Sequence, residues 1–128
     1  MKNIVILISG RGSNMQAIVN AAIPNARIAA VLSNSATAAG LAWAAERGIA
    51  TDSLNHKDFP CRLAFDQAMM EKIDAYQPDL VVLAGFMRIL TPEFCAHYSN
   101  RLINIHPSIL PAFTGLHTHE RALEATII

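Results

Sequence analysis

An amide, an imidazole and a proline lie close together in the sequence NIHPS at residues 104–108. Residues two positions apart on a strand point to the same side, so an extended backbone brings Asn104 and His106 together. Pro107 favours that backbone because it disfavours helix at the residue before it. An imidazole can transfer a proton and an amide can hydrogen-bond an oxyanion, which predicts catalysis here. The segment fits equally well a buried histidine bonded to backbone, with Asn104 ending its strand.

A second candidate site is the glycine-rich sequence SGRGSN at residues 9–14. Glycines let the backbone approach an anion, and the free N–H groups and dipole of a following helix attract it. A dinucleotide site would need a glycine where Met15 stands and an acidic residue near 33–35, and a Walker loop would need a lysine. The loop therefore predicts a site for a single phosphate. The alternative is an ordinary glycine turn, with Ser13 or Asn14 capping the helix.

The apolar sequence GFMRIL at residues 85–90 is a third candidate. A loop of this kind, with a flexible glycine, can line the pocket of a flat aromatic ligand. The same residues also fit a simpler interpretation, in which the apolar side chains belong to the core and Arg88 is a solvated charge. The sequence alone favours that simpler interpretation.

Histidine and cysteine patterns give weaker signals elsewhere in the chain. His117 and His119 are separated by one residue, but no acidic or cysteine partner has ligand spacing nearby, which argues against a metal site. Cys61 and Cys95 lack a neighbouring histidine and acid, which argues against a thiol nucleophile. They are typical of two buried thiols in a reducing compartment.

These residues need a scaffold, and the hydrophobic pattern predicts alternating strands and helices. Continuous apolar runs are typical of parallel strands buried on both faces. Strands are predicted at residues 4–8, 28–32, 49–51, 80–84 and 102–105, and helices after residue 14, at 38–47 and 63–76, from Pro92 and near Thr118. Gly48 is a natural helix C-cap, and Thr91 a natural N-cap. The pattern predicts an α/β fold with a doubly wound, mostly parallel sheet, whose ligands bind beyond the carboxyl ends of the strands.

Composition limits the classes of partner. The 128 residues fit one domain, and ten basic side chains balance ten acidic ones without a run of like charge. Neither nucleic acid nor a membrane surface is therefore expected as a partner. No segment resembles a signal peptide or is long enough to span a membrane, which predicts a cytoplasmic protein.

Taken together, SGRGSN at 9–14, LAGFMRIL at 83–90 and NIHPSILP at 104–111 resemble the glycinamide ribonucleotide formyltransferases. The resemblance runs from the first residue to about Glu124. The Asn-x-His-Pro-Ser segment is shared by the wider folate formyltransferase group, and the glycine loop near the amino terminus distinguishes this family. The resemblance implies a Rossmann-like formyltransferase fold. It also implies transfer of a formyl group from 10-formyltetrahydrofolate to the amine of glycinamide ribonucleotide, in purine synthesis and without a metal.

The resemblance also implies roles for individual residues. Asn104 would stabilise the tetrahedral oxyanion and contact the folate, and His106 would act as the proton-transferring acid. The substrate's phosphate would be bound by Gly12, Ser13 and Asn14. The folate would be contacted by Arg62, Met87, Arg88, Ile89 and Leu90, largely through backbone groups around the pterin. Part of the wall near the formyl group would be formed by Gly115, Leu116 and His117.

The resemblance further implies that the family's catalytic aspartate and final strands come later than residue 128. We therefore expect residues 1–128 to be an incomplete, amino-terminal portion of a single domain, inactive alone and prone to self-association near residues 112–128. The Leu110–Pro111 bond is expected to be cis. Two alternatives remain, a formyltetrahydrofolate hydrolase and a non-catalytic phosphate-binding module of Rossmann-like fold.

Overall fold

Six strands form one sheet in the computed structural model, which describes residues 1–108 and 122–127, and only the backbone of 106–108 and 122–127. The strands are β1 (Lys2–Ile8), β2 (Ala26–Ser33), β3 (Ala50–Ser53), β4 (Leu80–Ala84), β5 (Leu102–Ser108) and β6 (Ala122–Ile127). The helices are α1 (Ser13–Asn20), α2 (Ala39–Glu46), α3 (Arg62–Asp74) and α4 (Pro92–His97), with a 3₁₀ turn at His56–Asp58. The strand order is β3-β2-β1-β4-β5-β6. Strands β1 to β5 are parallel, which confirms the predicted doubly wound sheet.

The continuous apolar sequence of β1 is explained by two core layers, one on each face of the sheet. Val5 and Leu7 pack in a layer with Phe65 of α3 and Phe94 of α4. The alternate residues of β1, such as Ile6, pack in the other layer, against α1 and α2. Because successive side chains point to opposite faces, a strand covered on both sides needs apolar residues at every position. We call these layers the α3 face and the α1 face.

The predicted helix ends are confirmed where cap chemistry is present. The Thr91 side chain accepts a hydrogen bond from the backbone N–H of Phe94 at 3.2 Å, and Pro92 is the first residue of α4. Gly48 follows α2 with a φ of +76°, the left-handed conformation that glycine adopts at helix ends. These local signals determine where α2 ends and where α4 begins, and so where the loops to and from the neighbouring strands start.

The prediction of a last helix is wrong for residues 122–127. They form β6, which pairs antiparallel with β5, so that Ala122 lies opposite Ser108 and Ile127 opposite Ile103. Helix propensities differ by only about 0.7 kcal/mol per ordinary residue, so tertiary pairing readily overrides them. An unpaired β5 would also expose a row of backbone N–H and C=O groups, which β6 satisfies. Residues 118–121 lie outside the described residues.

Candidate active site

The three sequence motifs begin at neighbouring strands of the sheet. Leu7 of β1 lies opposite Leu83 of β4, and Leu83 lies opposite Asn104 of β5. Parallel strands end at the same edge, so residues 9–14, 85–90 and 104–108 lie at the carboxyl edge of three adjacent strands. Ligands of doubly wound sheets bind at this edge.

The glycine loop leads directly into α1 without a side-chain cap. Gly12 is the N-cap residue, with φ +72° and ψ +37°, and no described side chain accepts a hydrogen bond from the N–H groups of the first turn. The first intrahelical bond runs from the N–H of Gln16 to the carbonyl of Gly12 at 2.8 Å. The capping role considered for Ser13 and Asn14 is therefore wrong. The N–H groups of the first turn remain available to an anion, as the phosphate prediction requires.

Gly40 of α2 holds the glycine loop from the side. Its N–H donates to the carbonyl of Gly10 at 3.1 Å. A Cβ at Gly40 would lie 2.8 Å from the carbonyl oxygen of Arg11 and would also clash with the Ile8 side chain. Sequence reasoning missed this contact, although a glycine inside an alanine-rich helix is a signal of close packing.

We expect Gly40→Ala to lower the free energy of unfolding by about 1–3 kcal/mol, because the backbone of Arg11 or α2 must shift. Urea denaturation measures the change. Gly10→Ala is the matched control, since a Cβ there would meet nothing within 4 Å. Equal stability of the two variants would contradict the close approach of α2 to the loop.

The loop after β4 presents apolar side chains to solvent. Met87 is 82% exposed and Ile89 is 72% exposed, so the core interpretation is wrong for both residues. Phe86 and Leu90 do pack partly against the α3 face. Gly85 turns the chain with a φ of +74°. The backbone N–H of Met87 donates to the Oγ of Ser9 at 2.6 Å, which ties this loop to the glycine loop.

Arg88 is half-buried, so it is not the solvated charge of the simpler interpretation. Its guanidinium carbon lies 4.4 Å from the centroid of the Phe65 ring, within the range of a cation–π contact. Its Nε is buried and has no hydrogen-bond partner among the described residues. Arg88 therefore keeps one unsatisfied donor beside the loop.

A buried carboxylate fixes the far end of this loop. Asp66 of α3 is 1% exposed, and its Oδ2 accepts from both the backbone N–H and the Oγ1 of Thr91, at 2.8 and 2.7 Å. Thr91 thus caps α4 and anchors to α3 at once. The sequence predicts the capping role of Thr91, but it gives no sign that Asp66, 25 residues earlier, is the partner of Thr91.

The other predicted site residues are only partly described. Asn104 is half-buried on β5, and its neighbour Ile105 packs against the α1 face, so alternation places Asn104 on the α3 face. The backbone of His106 continues β5, opposite Glu124 of β6. Arg62 is exposed at the first position of α3. The wall residues Gly115, Leu116 and His117 and the Leu110–Pro111 bond lie outside the described residues.

Within the described ranges, no group of three His, Cys, Asp or Glu residues could hold a metal ion. Cys61 is exposed, so the prediction of two buried thiols is wrong for this residue. Burial raises the pKa of the Cys95 thiol, and the nearby Asp66 charge raises it further, which keeps that thiol protonated. No helix in residues 1–108 or 122–127 is long and apolar enough to cross a membrane.

The sequence profile of the formyl transferase family matches residues 2–126. The chain belongs to the formyl transferase family. This formyl transferase sequence is 55% identical over 125 residues to phosphoribosylglycinamide formyltransferase of Escherichia coli K12, covering 95% of this chain and 59% of that relative. It is 44% identical to the human trifunctional purine biosynthetic protein adenosine-3, covering 97% of this chain and 13% of that protein.

Solved structures show the same fold for this family member. It matches phosphoribosylglycinamide formyltransferase of Coxiella burnetii with a TM-score of 0.85 and 44% identity, covering 99% of this chain and 65% of that one. The Brucella melitensis enzyme matches with a TM-score of 0.84 and 43% identity, covering 98% of this chain and 72% of that one. The chain spans about three fifths of the length of the E. coli relative.

Proposed function

We propose that residues 1–128 correspond to the amino-terminal portion of a phosphoribosylglycinamide formyltransferase domain. The enzyme transfers a formyl group from 10-formyltetrahydrofolate to the amine of glycinamide ribonucleotide in purine synthesis. The observation that carries the proposal is the meeting of three motif segments at one sheet edge, in a chain 55% identical to the E. coli enzyme. Cys61 and Cys95 are both free thiols, which supports a reducing compartment such as the cytoplasm.

The glycine loop would hold the phosphate of glycinamide ribonucleotide. The uncapped start of α1 and the left-handed Gly12 support binding by Gly12, Ser13 and Asn14, because backbone N–H groups and the helix dipole both favour an anion. Phosphate binding at one end of the substrate would leave its amine free to reach toward β5.

The loop after β4 would hold 10-formyltetrahydrofolate. The exposed side chains of Met87 and Ile89 support contact with a flat, partly apolar ring, and backbone groups of residues 87–90 would hydrogen-bond its edge. Arg62 lies exposed at the start of α3, where its charge can meet an anionic part of the folate. Residues 115–117 would complete the wall near the formyl group.

The reaction joins the two substrates at β5. The amine of glycinamide ribonucleotide attacks the formyl carbon, and the carbonyl oxygen becomes a tetrahedral oxyanion. The side-chain amide of Asn104 donates a hydrogen bond to that oxyanion. A proton lost from the attacking amine passes by way of His106 to the departing nitrogen of tetrahydrofolate, and the oxyanion re-forms the carbonyl as the carbon–nitrogen bond breaks.

The two alternatives make different demands on the structure. A formyltetrahydrofolate hydrolase uses water as its nucleophile and has no need of a phosphate site beside the formyl group. A non-catalytic module would use the phosphate site alone. The transferase is favoured because it uses both the uncapped glycine loop and the apolar loop tied to it by Ser9.

Formyl transfer from 10-formyltetrahydrofolate to glycinamide ribonucleotide tests the proposal. We would assay the 128-residue chain and a chimera in which Glu124 is followed by all E. coli residues that come after the position aligned with Glu124, so that no residue of β6 is lost. We expect the chimera to transfer formyl groups and the chain alone to be silent, since a catalytic histidine without its carboxylate partner loses orders of magnitude in rate.

The other outcomes of this assay are distinguishable. Release of formate at the same rate with and without glycinamide ribonucleotide would identify a hydrolase. A chimera that folds and binds phosphate but performs neither reaction would identify a non-catalytic module. Near-normal turnover by the 128-residue chain would show that residues 1–128 supply a complete site.

A further inference from the structure

We infer that Ser9 is a positioning residue that couples the phosphate loop to the folate loop. The inference rests on the proposed function and goes beyond it by assigning a role to a side chain outside the predicted site. Its basis is the hydrogen bond from the backbone N–H of Met87 to the Oγ of Ser9, which joins positions 78 residues apart. Among the described residues, no other hydrogen bond links residues 9–14 to residues 85–90.

The backbone at Ser9 is held firmly by the structure around it. It follows directly after Ile8, the last residue of β1, which is completely buried. Strand β1 is held by β2 on one side and β4 on the other. The next residue, Gly10, is anchored through its carbonyl to the N–H of Gly40 in α2. The backbone of Ser9 is therefore set by the sheet and by α2, while its hydroxyl can still turn about χ1.

The loop at Met87, the other partner of this hydrogen bond, is held less firmly. Its side chain is 82% exposed, so burial of apolar surface contributes little to holding the loop at this point. Gly85, two residues earlier, turns the chain with a φ of +74°, and no atom lies within 4 Å of the position that a Cβ would take there. The loop is fixed at its far end by Thr91 on Asp66. Among the described residues, the Ser9 hydroxyl is thus the hydrogen-bond partner that holds Met87 itself, while the neighbouring Phe86 and Arg88 are held by packing.

The contact links two binding functions because of where each partner lies. Ser9 is three residues before Gly12, and Met87 is itself a proposed folate contact. A serine hydroxyl can accept from Met87 while its own proton remains free to donate toward the loop or a ligand. A phosphate at residues 12–14 that accepts the Ser9 hydroxyl proton would polarise that hydroxyl and strengthen the hydrogen bond that it accepts from Met87. Group transfer depends steeply on such alignment, about 100-fold in rate for a misplacement near 1 Å.

The test uses amide resonances of the 128-residue chain, with inorganic phosphate as the probe. In the wild-type chain, phosphate should shift the amides of Gly12, Ser13 and Asn14 and also the amide of Met87. In Ser9→Ala the first three shifts should persist while the Met87 shift is lost. Hydrogen exchange of the Met87 amide should accelerate by about 3- to 10-fold in Ser9→Ala, as expected for loss of one net hydrogen bond.

Two variants separate coupling from general loosening. Ser35→Ala makes the same chemical change at the same sheet edge, where the Ser35 hydroxyl bonds only to Thr37 at 3.1 Å among the described residues. It should leave the Met87 amide unchanged. Ser9→Thr keeps the hydroxyl and should restore both the Met87 shift and its protection.

The outcomes separate failure of the coupling from failure of the function. Phosphate-induced shifts at residues 12–14 without a shift at Met87, or an equal Met87 shift in Ser9→Ala, would overturn the coupling alone. Absence of any shift at residues 12–14 would refute the phosphate site and with it the proposed function. If Ser9→Ala fails to fold, an unprotected Met87 amide in the wild-type chain would still overturn the inference.

Discussion

Replacing Asn104 or His106 with alanine in the chimera should lower formyl transfer by about 10²–10⁴-fold, the range found when an oxyanion donor or a general acid is removed. Asn104 lies on β5 directly opposite Leu83 of β4. Leu83 is in turn four residues before Met87, the exposed residue of the loop after β4. Under the proposed function, a donor at that position would hydrogen-bond the oxygen of a formyl group held by the loop. For Asn104→Ala the loss should fall on kcat more than on KM, because the oxyanion exists only near the transition state.

Steady-state kinetics with both substrates varied measures this loss. His97→Ala is the matched control, because His97 bonds to Asp74 at 2.7 Å and ends α4, which leads back to the opposite edge of the sheet. It should keep kcat/KM within about twofold, since none of its contacts among the described residues lies at the carboxyl edge. If Asn104→Ala and His106→Ala both behave like the control, β5 does not carry the chemistry.

Replacing Asp66 with alanine should lower the free energy of unfolding by about 3 kcal/mol. The carboxylate accepts two hydrogen bonds from Thr91, which is only 8% exposed, so its removal leaves a buried N–H and a buried hydroxyl without their acceptor. Unsatisfied buried groups cost about 1–3 kcal/mol each, partly offset because a buried charge is also removed. Asp66→Asn, which keeps one acceptor oxygen, should lose about half as much.

Urea denaturation at constant pH measures the effect of the Asp66 variants. Asp58→Ala is the control, because Asp58 is exposed on the 3₁₀ turn and should change stability by no more than about 0.5 kcal/mol. Amides of residues 85–91 should also exchange faster in Asp66→Ala, since the far end of the loop is released. A midpoint equal to that of Asp58→Ala would mean that Thr91 finds another acceptor.

The sequence determined the elements whose signals are local. The sequence predicts strands β1 and β4 because a strand covered on both faces needs an unbroken apolar run, and that run is visible without knowledge of its neighbours. The end of α2 at Gly48 and the start of α4 at Thr91 and Pro92 depend on residues adjacent in the chain. The alternation of strands and helices along the chain predicts the parallel sheet and places the three motifs at or just beyond the carboxyl ends of their strands.

Only the tertiary structure decided which distant residues meet. Asp66 with Thr91, Gly40 with Gly10 and Ser9 with Met87 each join separate loops or helices, and no periodic pattern marks either partner. The prediction of a helix where β6 lies is wrong for the same reason, because its residues carry a weak helix preference that the edge of β5 overrides. Periodicity reports which face of an element is buried. Strand order, which brings β1 beside β4 and so Ser9 beside Met87, depends on how all the faces pack together.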